Sequence, residues 1–138
     1  MNLAIAPRIA FPGGNTGPLV QYDPFRLHVE KAISLTNTAI VNLAPQKPGV
    51  ENIMDPYTVA SASAQAAVKE LGFALDQDAP AAGLSAAQAG LKLIEQGSFE
   101  MTHRLNGPLN TDRVVGEFTA GEQSLQSALD SIGFAQSR

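Results

Sequence analysis

The sequence predicts an all-α fold: two helical hairpins forming a four-helix bundle or a longer two-layer array, preceded by an extended N-terminal arm. Three observations predict it. Apolar residues recur at 3–4 spacing through four long stretches, the period of one helix face. Proline and glycine cluster between those stretches. Finally, Tyr57–Ala74 aligns without gaps on Phe118–Ala135, a period of 61 residues. Seven of those 18 positions are identical and three more keep apolar bulk, so the match describes a repeated unit of architecture. Each half, near 60 residues, would be marginal alone, and the halves are expected to share one core.

Residues 1–22 contain Pro7, Pro12, Gly13, Gly14, Gly17 and Pro18. Proline removes backbone donors and glycine weakens a helix, so this stretch reads as an arm that lies along its own helices or on a neighbour. Residues 23–138 read as a single helical domain: a hairpin over 23–75, a linker over 76–84 and a second hairpin over 85–138.

The first predicted helix runs from Pro24 to Ala44. Asp23 takes the N-cap and Pro24 the first helical position, where its missing N–H costs nothing. Phe25, Val29, Ile33, Ile40 and Leu43 form its face with Thr36 between them, and Pro45 and Pro48-Gly49 stop it. The second, Pro56–Leu71, repeats the Asp-Pro start at Asp55 and presents Tyr57, Ala60, Ala64, Val68 and Leu71. Gly72 then reads as a left-handed C-cap residue with Phe73 folding back on the last turn, and Gly133-Phe134 repeats that grammar.

The third helix is expected from the capping box Ser85-Ala-Ala-Gln88 to about Leu105, with Leu84, Leu91, Ile94, Met101 and Leu105 on its face. Gly83, Gly90 and Gly97 recur every seven residues. They read either as close approach by another helix or as a kink at Gly97-Ser98. The fourth helix ends at Ile132 and presents Val114, Phe118, Leu125, Leu129 and Ile132. Its spacing extends back to Asp112, Thr119-Ala-Gly-Glu122 is a competing capping box, and the repeat favours a start near Gly116.

The net charge of −4 and nine scattered basic residues argue against a nucleic-acid binder. Cysteine is absent, which excludes disulfides, thiolate metal sites and Cys nucleophiles. Met1–Arg8 lacks a basic n-region and is broken by Pro7, a poor match to a secretory leader. No apolar stretch approaches the roughly 18 residues of a membrane span, so a soluble chain is expected.

Candidate chemistry is thin. His28 and His103 are the sole histidines; a metal site would need Glu30 or Glu100 to converge on them, at no recognised ligand spacing. Helix-surface histidines are the expectation. Pro12-Gly-Gly-Asn-Thr-Gly-Pro18 lacks the Gly-Lys-Ser/Thr ending of a phosphate loop. Asp76 and Asp78 read as a solvated turn. The Ala60–Ala67 run reads as a thin face for close helix packing. No catalytic, cofactor or metal residue is assigned, and no enzyme activity or cofactor is expected.

With no Trp and much Ala, the core looks lean, and burial against like copies is expected to complete it. The expected role is a structural subunit of a homo-oligomeric assembly, such as a virion component or a bacterial appendage or secretion rod. Its partners would be copies of itself or other assembly proteins. The rival is a small helical adaptor or chaperone that takes a partner helix in a groove between hairpins.

Overall fold

The structure is a computed structural model that describes residues 17–43, 56–103 and 110–136, with side chains described from Tyr22 to Gly133 within those ranges. It is all-α. Four helices, α1 (Gly17–Leu43), α2 (Pro56–Leu75), α3 (Ala81–Thr102) and α4 (Thr111–Gln136), form a four-helix bundle. Each helix packs on its neighbours in the chain, and α1 closes the ring against α4. Among the described residues no helix is long and apolar enough to cross a membrane.

Neighbouring helices run antiparallel. His28 near the start of α1 meets Glu70 near the end of α2, and Gly83 at the start of α3 meets Ser131 near the end of α4. Gly83 also lies against the Phe25 ring, so α1 and α3 start at the same end.

The core follows one spacing in every helix. Phe25, Val29, Ala32, Thr36, Ala39 and Leu43 are buried in α1; Ala60, Ala64, Ala67, Leu71 and Ala74 in α2. In α3 the buried seam is Gly83, Ala87, Gly90, Ile94, Gly97 and Met101, with Ser98 beside it. In α4 it is Val114, Phe118, Gly121, Leu125, Ala128 and Ile132. Alternating steps of four and three give the 3.5-residue seam of knobs-into-holes bundles. The 61-residue repeat is a core register: Ala60/Gly121, Ala64/Leu125, Ala67/Ala128 and Leu71/Ile132 are buried at matching positions of α2 and α4.

The seam differs from the predicted faces. Small residues alternate with large ones along it, while Ile33, Ile40, Val68, Leu84, Leu91 and Leu129 flank it half-buried. A seam of Ala and Gly lets backbones approach, and the longer side chains then cover the sides of the contact. Tyr57, predicted on the core face, is exposed, although its repeat partner Phe118 is buried. Leu105 lies outside the described residues. The buried polar residues among those described are Thr36, fully enclosed, and Ser98 at its margin; Thr36 Oγ1 donates to the Ala32 carbonyl at 2.8 Å, so it needs no partner from another helix.

Several helix ends differ from expectation. α1 begins at Gly17, so Asp23 is not its N-cap and the predicted arm over 1–22 is shortened from its C-terminal side. Pro18 falls in the first turn, where its absent N–H has no partner to lose. Pro24 lies inside the helix, and Asp23 instead pairs with Arg26 at 2.8 Å. Residues 1–16 and the proposed cap Asp55 lie outside the described residues. Gly72 is not a left-handed cap: α2 continues to Leu75, and α4 likewise passes Gly133 to Gln136. Burying Ala74 and half-burying Leu75 on the core outweighs the ~1 kcal/mol that glycine costs. The last turn of α2 closes with tighter bonds, Asp76 N–H to the Phe73 carbonyl and Gln77 N–H to the Ala74 carbonyl.

α3 starts four residues before its predicted capping box, after Pro80, and the Leu84 N–H donates to the Pro80 carbonyl at 3.0 Å. The linker is correspondingly shorter than 76–84. No side chain caps this end. α4 starts at Thr111, earlier than Gly116, because Asn110 Oδ1 accepts the Arg113 N–H at 3.1 Å. Thr119–Glu122 therefore lies in mid-helix.

The regular glycines of α3 mark close approach. A Cβ at Gly90 would stand 2.6 Å from Leu125 Cδ2 and 3.1 Å from the Gly121 carbonyl oxygen. One at Gly97 would stand 2.5 Å from the Phe118 ring, and one at Gly121 2.7 Å from Ile94 Cγ1. Large side chains of each helix thus occupy the space where the other has no Cβ.

Candidate functional site

Two polar clusters sit on opposite interfaces of the bundle, and an open groove lies between them. The first joins α1 to α2. Three residues apart on α1, His28 and Lys31 both face Glu70 of α2. His28 Nδ1 lies 2.8 Å from Glu70 Oε1, and Lys31 Nζ lies 3.5 Å from Oε2. An ionised carboxylate only accepts, so His28 is the donor in that contact. Principally through this hydrogen bond, the Glu70 carboxyl is held below its ordinary range; burial works the other way, and Lys31 adds to the lowering. Phe73, one turn on, tilts its ring against the imidazole at 5.6 Å between centroids.

The second cluster joins α3 to α4. Arg113 reaches Glu100 Oε2 at 3.2 Å and, along its own helix, Glu117 Oε2 at 3.8 Å. Gln96 Nε2 also donates to Glu100 Oε2, at 3.0 Å. Burial first, and the Glu100 charge second, push the Glu117 carboxyl up, with Arg113 opposing them. Glu117 Oε1 is buried and meets no donor.

The groove runs between α2 and α3, has a volume of about 630 Å³ and is open to solvent. Gln65 and Val68 form one wall; Lys92, Gln96, Phe99 and His103 are among the residues of the other. Phe99 stacks on His103 at 4.1 Å between centroids, and His103 Nδ1 is 2.8 Å from Thr102 Oγ1.

The two histidines are not brought together. His28 faces the end of α2, whereas His103 ends α3, at the opposite end of the bundle. Glu30 pairs with Arg26 at 3.5 Å and Glu100 with Arg113, so neither turns toward a histidine. Among the described residues no three His, Asp or Glu side chains converge as a metal site would require. Asp76 and Asp78 are exposed in the short α2–α3 connection. Of Pro12–Pro18, only Gly17 and Pro18 are described, in the first turn of α1. The Ala60–Ala67 run supplies three of the five buried positions of α2.

Glu70 and Glu117 went unnoticed in the sequence. The i,i+4 spacing of Arg113 and Glu117 was a usable signal for that pair. Nothing in the sequence could pair Glu117 with Glu100, or Glu70 with His28, before the helices were placed. Comparison with protein-family models, with curated proteins and with solved structures yields no match.

Proposed function

We propose that this bundle is a structural subunit of a homo-oligomeric assembly, of the kind that builds virions or bacterial appendages and secretion rods. The four seams close within one chain, so like copies are not needed to cover them. The observation that carries the proposal is a pair of outward apolar side chains on α1, Leu27 and Val41, which are 56% and 58% exposed. They stand 14 residues apart, two full heptads, and so lie along one line of a supercoiled helix. Among the described residues Thr36 and Ser98 are the buried polar ones, a poor starting set for catalysis at the core.

Sedimentation velocity over a wide concentration range tests the proposal. The parent chain is expected to self-associate, and the double variant Leu27→Glu/Val41→Glu to remain monomeric with unchanged helicity. A parent that stays monomeric at the highest concentration overturns it.

The adaptor reading retains one observation in its favour, the α2–α3 groove beside Phe99, which is 56% exposed. It calls for a monomer whose partner binding is lost in Phe99→Ala and untouched by the α1 double variant.

A further inference from the structure

Near the α3–α4 connection, two acids share one base. Glu100 and Glu117 are each 18% exposed, while Arg113, which touches both, is 61% exposed. One guanidinium reaching in from solvent offsets at most one of the two carboxylates, and its own exposure weakens the attraction. The second negative charge is left in a partly dry interface.

The hydrogen-bond inventory leads to the same place. An ionised carboxylate has acceptors and no donor. Glu117 Oε1 is buried without a donor, and the acid that acts on it from across the interface is Glu100, held on the same Arg113 guanidinium. With both ionised, acceptor faces acceptor. One proton on either acid turns that contact into an O–H···O bond, which is among the shorter and stronger kinds when one side remains charged.

We propose that Glu100 and Glu117 hold a single proton between them and act as a pH-set clasp on the α3·α4 interface. The clasp is closed when the pair carries the proton and loosened when both acids are ionised. The charged groups that act on Glu117 among the described residues are Glu100 from α3 and Arg113 from α4, with neutral Gln96 bonded to Glu100. Arg104, in the connection, lies outside the described residues. Burial and the Glu100 charge raise the Glu117 carboxyl, so the folded chain binds this proton more tightly than the unfolded chain. The contribution is therefore full below the ordinary carboxylate pKa and is lost as pH rises through the raised folded value.

Site-resolved carboxyl titration by NMR on the intact chain, with thermal melts from pH 4 to 8, tests the clasp. Glu117 is expected to titrate above the exposed glutamates, and Arg113→Gln to move that titration higher. The isosteric Glu117→Gln supplies a permanent donor, so its melting temperature should exceed the parent's at pH 8 and the gap should close toward pH 4. Glu122→Gln, whose parent carboxyl is also raised by burial but lies in the α1·α4 groove, is expected to leave the Glu117 titration unchanged. Titration of Glu117 with the exposed glutamates, or a Glu117→Gln melt parallel to the parent at every pH, would overturn the proposal.

Discussion

In α1·α2 the seam is filled largely by alanine, with Ala32 and Ala39 on one side and Ala60, Ala64, Ala67 and Ala74 on the other. In α3·α4 the same spacing holds glycines facing large side chains: Gly97 against Phe118, Gly90 against Leu125, Gly121 against Ile94. Where alanine meets alanine, between larger residues such as Phe25 and Leu71, the contact is smooth with modest apolar burial per position. Alternating glycine and large residues give an interlocked contact, in which each bulky group depends on one missing methyl. The electrostatics diverge along with the packing. Glu70 in α1·α2 is held below its ordinary range by His28, whereas Glu117 in α3·α4 is pushed above its own by burial. Two pairs with one backbone grammar thus respond to opposite changes of sequence and of pH.

Removing a knob should have the largest effect. Phe118→Ala should destabilise the chain by about 3–5 kcal/mol in urea denaturation followed by circular dichroism, because it empties the space beside Gly97. Leu71→Ala in the other pair should cost about 2–5 kcal/mol. A loss for Phe118→Ala below that of an exposed Leu27→Ala would contradict the packing described.

Filling a gap is the next test. Gly97→Ala and Gly121→Ala should each cost about 1–3 kcal/mol through overpacking, offset in part by about 1 kcal/mol of helix propensity. Coupling sharpens the point: Gly97→Ala should cost less in a Phe118→Ala background, since the ring that its methyl meets is gone. Additive losses would show that the two positions do not touch.

Exposed helical glycines should behave in the opposite way. Gly116 and Gly133 have nothing within 4 Å of a Cβ position, so each Gly→Ala change should stabilise by about 1 kcal/mol. A thermal melt of the double variant checks this. The smallest expected effect is Glu70→Gln, roughly 0.5–1 kcal/mol at neutral pH. The Glu70 contribution is full above the ordinary carboxylate pKa and is lost as pH falls through the lowered folded value, so parent and variant should converge in acid. Convergence at high pH instead would reverse the assigned sign.

Much of the fold was readable in the sequence, for identifiable reasons. The period of 61 residues marked a true core register because buried positions recur with it. Proline at the start of the second helix, and after the first, placed two ends to within a residue. The heptad glycines left two readings open, and tertiary contact decides between them: Leu125 and Phe118 come from another helix, which local pattern cannot see. Gly72 and Gly133 misled because a helix C-cap and an exposed helical glycine look identical in sequence until the burial of the next turn is known. The polar clusters were hidden for the same reason, since Glu70 and Glu117 owe their surroundings to His28 and Glu100 on other helices.

The most direct test of interlocking glycine packing is a paired denaturation of Gly90→Ala and Gly72→Ala under identical conditions. At Gly90 a methyl would meet Leu125 and the Gly121 carbonyl; at Gly72 it would meet nothing. Opposite signs are predicted, with Gly90→Ala unfolding at lower urea than the parent and Gly72→Ala at higher. Stabilisation by both substitutions would contradict the account, because Gly90 would then be an ordinary surface position.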